Sequence, residues 1–194
     1  VTSLDHSDAI RKQGSIGTPN FFYQTKLVNE QGEMVKANEI GELIIKSATV
    51  TPGYWKNEEA TRNTIIDGWF HTGDLMKRDD EGYLYVVDRI KNMYISGGEN
   101  VYPAEVEHLI RQLDDVRDVA IIGVPHEKWG ETGKAFIVKK RGSDLSEKQV
   151  IDYCLKNLAK YKTPAYIRFL EQLPVNNAGK IDRKALRDQD KTEA

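Results

Sequence analysis

Two periodicities divide the chain. Over the first ~90 residues, apolar positions fall in short runs closed by Gly-containing turns, the pattern of strands. Phe21–Val28 is a β-rich run ended by Asn29-Glu30-Gln31-Gly32, and Glu42–Lys46 is a short apolar strand behind Gly41. Asp79-Asp80-Glu81-Gly82 turns into the strand Tyr83–Asp88, and Glu58–Ile66 has the spacing of a short helix stopped by Asp67-Gly68. No helical partner layer is evident for these strands, so a β-subdomain belonging to a larger body is expected.

Beyond Asp88 a helical period enters. Pro103 suits the first turn of a helix, where its missing N–H is not needed. Val106, Leu109, Ile110 and Leu113 follow at i, i+3, i+4 and i+7, an amphipathic face. Val119–Val124 and Ala135–Lys139 read as buried strands. Ser146 with Gln149 forms a capping box ahead of a second helix, whose apolar face runs through Val150, Tyr153, Cys154 and Leu158. Ala165–Leu170 is a further strand. The expected fold class is α+β: a partial β-subdomain over residues 1–88, a hinge at 89–91, and a small compact α+β domain over 92–194.

The composition narrows the function. The chain has 194 residues, 39% of them hydrophobic and 30% charged, enough for a packed core. Lys and Arg number 28 against 30 Asp and Glu, a net charge of -2 that gives no electrostatic footprint for nucleic acid. No apolar run approaches the ~20 residues that span a bilayer. Val1-Thr2-Ser3-Leu4-Asp5-His6 lacks the basic start and apolar stretch of a signal peptide, and it has no initiator Met, so a fragment or processed chain is expected. Cys154 is the single cysteine and no Cys/His ligand cluster is present, which predicts no metal site and a reducing, cytoplasmic setting.

Five stretches carry candidate chemistry: Gly41-Glu42-Leu43 running to Gly53-Tyr54-Trp55; His71-Thr72-Gly73-Asp74-Leu75; Val87-Asp88-Arg89-Ile90-Lys91; Ser96-Gly97-Gly98 running to Glu105-Val106-Glu107; and Asn177-Ala178-Gly179-Lys180-Ile181-Asp182-Arg183. Each has a plain structural reading when taken alone. Thr72-Gly73-Asp74 is a turn with a capping Asp, Arg89 an exposed partner of Asp88, Gly97-Gly98 a turn before the Pro103 helix, and Gly179-Lys180 a solvated loop. Each also has a chemical reading. A carboxylate can hold two vicinal hydroxyls, a guanidinium fork suits ribose or phosphate oxygens, and paired glycines let a ligand approach the backbone. A lysine on a mobile loop is a point charge for a developing phosphate charge. His71 reads as structural, and Trp129 and Tyr54-Trp55 as packing residues.

In order and spacing these stretches together resemble the adenylate-forming superfamily, which includes acyl-CoA synthetases, aryl-CoA ligases, luciferases and peptide-synthetase adenylation domains. The resemblance implies that Asp74 and Arg89 bind the nucleotide, Lys91 is a hinge, Gly97 and Gly98 line the CoA channel, and Lys180 is catalytic in adenylation. It implies ATP and CoA as reactants with a fatty or aryl carboxylic acid. Magnesium is expected too, with its ligand in a part absent from this chain. Relatives carry a lysine at the position of Ile95 or an arginine at that of Asn100. Neither basic group is here. The phosphate loop and the adenine-binding segment of the large domain are not found, so the chain is expected to be the carboxy-terminal part of an ATP-dependent acid–thiol ligase, inactive by itself. The alternatives are an adenylation domain that loads a carrier-protein thiol, and a non-catalytic interaction module.

Overall fold

A computed structural model describes residues 1–193, which fall into two compact units, Val1–Lys91 and a second beginning at Asn92. In the first, β1 (Thr2–Ser3) pairs with β2 (Thr18–Pro19). There follow β3 (Gln24–Val28), β4 (Ile40–Lys46), α1 (Glu58–Thr64), β5 (Ile65–Ile66), β6 (Trp69–Arg78) and β7 (Leu84–Arg89). They form a five-stranded antiparallel sheet in which β4 lies between β3 and β6, and β6 also pairs with β5 at its start and β7 at its end. Leu27, Leu43, Ile45, Met76 and Leu84 make its core.

The central strand β6 was not expected, because its middle reads as a Gly turn. The structure makes that turn a bulge inside a strand. Glu42 pairs with Leu75 and Ile44 with His71, so Leu43 alone stands opposite Thr72, Gly73 and Asp74. Gly73 sits at φ 70°, where a side chain is disfavoured. The polar groups that the ladder gives up are satisfied locally. Glu42 Oε1 accepts the Gly73 N–H at 2.9 Å and Oε2 meets His71 Nδ1 at 2.7 Å. Thr72 Oγ1 donates to the Leu43 carbonyl at 2.7 Å and accepts the Asp74 N–H at 3.1 Å.

Three local expectations are corrected. Strand β3 starts at Gln24, and Phe21 and Phe22 stand exposed, edge to face with each other. The helix ends at Thr64, because the β-branched pair Ile65-Ile66 joins the sheet opposite Phe70 and Trp69. Tyr54-Trp55 do not pack the sheet. Trp55 is 87% exposed, in a chain reversal where Lys56 takes φ 52° and its Nζ lies 5.8 Å from the indole centroid. Ile16, Val35, Val50 and Phe70 already flank that core.

An ionic cluster closes the β6–β7 turn. Lys12, 8% exposed, donates to Asp79 Oδ2 at 2.7 Å and to Glu81. Arg11 bonds Glu81 and Asp8, and the Tyr83 hydroxyl donates to Asp8. The Tyr83 hydrogen bond, then Arg11, holds the Asp8 carboxyl below its ordinary value, and Lys12 followed by Arg11 does the same for Glu81. Burial pushes Asp79 up, but the Lys12 hydrogen bond and backbone N–H groups outweigh it, and the net shift is down.

The second unit runs β8 (Tyr94–Ser96), β9 (Glu99–Val101), α2 (Pro103–Ile110), β10 (Val116–His126), β11 (Gly130–Lys139), α3 (Glu147–Asn157), β12 (Tyr166–Leu170) and α4 (Arg183–Glu193). β10 and β11 are antiparallel, and β11 also pairs in parallel with β12 and, at Gly130, antiparallel with β8. Both faces of this sheet are buried. Val119, Ile121, Ala135 and Ile137 pack with Val106 and Ile110 of α2 and Val150 and Cys154 of α3. Ala120, Ile122, Val124, Phe136 and Val138 pack with Leu173 and Leu186. Hence the apolar run Val119–Val124 is unbroken rather than alternating.

The capping box is present: Ser146 Oγ accepts the Gln149 N–H and Gln149 Oε1 accepts the Ser146 N–H. Both sequence-derived helix faces run past the helix ends. α2 stops at Ile110 and α3 at Asn157, so Leu113 and Leu158 lie outside the helices yet pack on the same core. The expected order of helix, two strands, helix and strand is extended at both ends, by the β8–β9 hairpin and by α4. Helix α4 is mostly polar, and only Leu186 marks its buried side. β10 lies at the end of the sheet, and α2 closes it. Glu107 Oε1 accepts the Ile121 N–H at 2.8 Å and Arg111 Nη2 donates to the Val119 carbonyl at 2.9 Å.

Glu42→Ala should destabilise the first unit by about 1–3 kcal/mol in urea unfolding, since it strips the Gly73 N–H of its acceptor, while Glu42→Gln should lose less. The lowered carboxyls Asp8, Asp79 and Glu81 contribute stability that is complete above their unfolded values near pH ~4 and is lost as pH falls through their folded values. The thermal unfolding temperature of the chain should therefore decrease below about pH 4, and Tyr83→Phe, which removes the main cause at Asp8, should flatten that acid limb.

Candidate functional site

In the first unit the bulge brings Asp74 opposite Arg89 across β6 and β7. Arg89 Nε donates to Asp74 Oδ1 at 2.7 Å. Asp74 is partly exposed, with 29% of its side chain accessible, and Arg89 is more so at 53%. Among the described residues Asp74 Oδ2 takes no hydrogen bond, which leaves acceptor capacity at a carboxylate the guanidinium already orients. The pairing of Arg89 with Asp88 offered by the sequence is not formed. Asp88 is buried and its Oδ1 accepts the Arg89 backbone N–H at 2.7 Å instead. His71 pairs with Glu42. Lys91 is exposed in the one-turn helix Ile90–Asn92, as the last residue of the first unit.

In the second unit Gly97 and Gly98 form the two-residue turn of the β8–β9 hairpin. Ser96 pairs with Glu99, and both glycines take positive φ, 62° and 88°. A turn with φ > 0 at both central positions matches strand twist and calls for glycine. At Gly97 there is a second reason. A Cβ there would fall 2.7 Å from the Trp129 ring, and the Gly97 N–H donates to the Trp129 carbonyl at 2.8 Å. Trp129 thus packs a loop, as its surroundings in the sequence imply. Nothing stands within 4 Å of a Cβ built on Gly98. Ile95 and Asn100, the neighbouring non-basic positions, are paired across the hairpin and exposed.

Lys180 lies in a laced loop of the same unit. Val175 bridges Ile181, and the Asn176 N–H donates to the Lys180 carbonyl at 2.8 Å. Asn176 Oδ1 accepts the N–H groups of Ala178 and Lys180, and Gly179 turns at φ 73°. The backbone is therefore fixed, while the Lys180 side chain is exposed and pairs with no carboxylate among the described residues. Asp182 Oδ1 accepts from the Lys184 and Ala185 N–H groups and caps α4 directly after the loop. Arg183 Nη2 reaches both oxygens of the buried Glu107, at 2.7 and 2.9 Å.

Asp74 and Arg89, expected to bind the nucleotide, thus lie in the first unit, and the hairpin turn and Lys180 in the second. Glu42, Glu107 and Arg183 received no role from the sequence although each stands in one of the five stretches. The available signal was a carboxylate set among apolar neighbours: Glu42 between Gly41 and Leu43, Glu107 one residue after Val106 on the inward face of a helix.

Comparison with known proteins gives matches in both units. Residues 105–180 match the family described as AMP-binding enzyme C-terminal domain, and residues 1–55 match AMP-binding enzyme. The long-chain-fatty-acid–CoA ligase FadD13 of Mycobacterium tuberculosis is 45% identical over 188 residues, 97% of this chain and 37% of that protein. Feruloyl-CoA synthase of Amycolatopsis is 43% identical over 181 residues, 93% of this chain and 37% of its own length. The solved o-succinylbenzoate CoA synthetase of Bacillus subtilis, in complex with its acyl-adenylate intermediate, superposes with a TM-score of 0.89 at 37% identity over 97% of this chain and 38% of that one. The chain spans a little over a third of the length of the relatives it matches. With two family matches, one on each unit, and close likeness to CoA ligases in sequence and fold, the chain belongs to the adenylate-forming superfamily of AMP-binding enzymes.

Proposed function

We propose that this chain is the carboxy-terminal part of an ATP-dependent acyl-CoA ligase and supplies one wall of the ribose site and the groups that serve its two half-reactions. The observation that carries this reading is Lys180, an exposed ammonium without a carboxylate partner among the described residues, on a loop whose backbone is pinned by Asn176. In the first half-reaction a carboxylate oxygen of the acid attacks the α-phosphorus of ATP. The bond to the bridging oxygen breaks, and acyl-adenylate and pyrophosphate form. Lys180 bridges the acid and the α-phosphate, where negative charge gathers. Asp74, oriented by Arg89, offers its second oxygen to the ribose hydroxyls.

In the second half-reaction a CoA thiol, giving up its proton, attacks the acyl carbonyl and expels AMP. The Gly97-Gly98 turn, open at Gly98, lines the approach of the pantetheine arm. Lys91, at the end of the first unit, is the backbone position that absorbs the φ/ψ change as the second unit exchanges Lys180 for the hairpin. The substrate is a fatty or aryl acid, by likeness to FadD13 and feruloyl-CoA synthase. No group of three or more His, Cys, Asp or Glu suited to a metal occurs among the described residues, so these residues offer no ready-made site for the magnesium that accompanies ATP. No helix among them is long and apolar enough to cross a membrane. Use of ATP and CoA accords with the cytoplasmic setting expected from the sequence.

In the enzyme that carries this segment, Lys180→Ala should lower ATP–pyrophosphate exchange by about 10²- to 10³-fold. Thioester formation from a supplied acyl-adenylate should stay near the parent rate. Exchange that survives the substitution would remove the adenylation role from Lys180.

A further inference from the structure

We propose that Glu107 and Arg183 are positioning residues for Lys180, a reading that rests on the adenylation role given to Lys180 above. The Lys180 loop is laced internally, and it is placed on the body of the second unit by Ile181, which packs on the core of Ala120, Ile122 and Phe136, and by a charged connection from the first turn of α4. Arg183, three residues after Lys180, makes that connection through both oxygens of Glu107. Glu107 is 3% exposed, and its Oε1 also accepts the Ile121 N–H at 2.8 Å, so the carboxylate is held by α2, by the edge of β10 and by Arg183 together. Among the described residues every hydrogen bond of the Arg183 side chain goes to Glu107, and its Nε is buried without a partner. Removing Arg183 leaves the buried Glu107 carboxylate without its cation, and neutralising Glu107 leaves Arg183, 20% accessible, without its counter-charge, so the pair holds one geometry or loosens.

The other functional loop does not depend on this pair. The Gly97-Gly98 turn is tied down by the Trp129 carbonyl and by the pairing of Ser96 with Gly130. Loosening Arg183 from Glu107 therefore frees the lysine loop and spares the hairpin. The same helix carries its own control. Asp190 pairs with Lys134 seven positions beyond Arg183, about 10 Å along the axis. That pair secures the helix and not its first turn.

The experiment compares Glu107→Gln, Arg183→Lys, Asp190→Asn and Lys180→Ala in both half-reactions, in the enzyme carrying this segment. Glu107→Gln should lower ATP–pyrophosphate exchange by about 10- to 100-fold, the size of effect that misplacing a group by an ångström produces. It should leave thioester formation from supplied acyl-adenylate near the parent rate. Arg183→Lys, which keeps the charge without the fork, should fall between. Asp190→Asn should leave both rates unchanged. A readout free of catalysis is amide hydrogen exchange at Gly179 and Lys180 in the 194-residue chain, which should quicken in Glu107→Gln and not in Asp190→Asn. The proposal is overturned if Glu107→Gln lowers both half-reactions in parallel, or if Asp190→Asn matches it. It is also overturned, with the role of Lys180 intact, if Lys180→Ala abolishes exchange while Glu107→Gln and Arg183→Lys keep it. Exchange retained by Lys180→Ala overturns the adenylation role and the positioning role with it.

Discussion

A sheet that is apolar on both faces must be covered twice, and most of the second unit follows from that requirement. Successive residues along β10 and β11 point to opposite sides, so Val119 and Ile121 belong to one core and Ala120 and Ile122 to another. One face has a ready partner in the amphipathic helices α2 and α3. The other falls to α4, which is polar but for Leu186 and small neighbours. A helix with so little apolar surface gains little from burial alone. Two ion pairs, Arg183–Glu107 and Lys134–Asp190, supply the additional fastening. Because α4 has to lie on that face, the loop that leads into it, with Lys180, is delivered to a defined place.

The first unit solves a different problem. A strand that keeps perfect register presents its side chains at fixed intervals and alternate faces, and it cannot aim a short carboxylate freely. Opening β6 with three residues against one on β4 re-aims Asp74 toward Arg89, at the cost of several unpaired backbone groups. Glu42 and Thr72 take up that cost, each by satisfying partners on both sides of the bulge. The motif is therefore five residues of β6 plus the residue facing them on β4, and neither half would hold the geometry alone.

The two loops of the second unit are fastened in different ways. The hairpin turn depends on glycine backbone freedom and on one aromatic ring, which are insensitive to charge. The lysine loop depends on an ion pair to the buried Glu107 carboxylate, in which the loss of Arg183 is severe because that carboxylate cannot be solvated. That asymmetry lets one loop be perturbed without the other.

The sequence by itself determined the α+β class, the capped helix at Ser146 and the buried strand Val119–Val124, because these are local: periodicity, caps and turn chemistry act within a few residues. Its motifs were also enough to indicate the superfamily, since five short stretches in fixed order are informative even when none is alone. Only the tertiary structure decided that Thr72-Gly73-Asp74 is a bulge in a central strand rather than a turn, since a bulge exists only relative to its partner strand. It decided that Arg89 pairs with Asp74 and not with the adjacent Asp88, because neighbours in a strand face opposite ways while residues across a ladder face the same way. It decided that α4 is a helix that buries Leu186, and that Glu107 and Arg183, 76 positions apart, share a hydrogen-bonded ion pair. Such a pairing leaves no local trace: a charged residue in an apolar pattern shows that a partner is required, and only the fold shows which one it is.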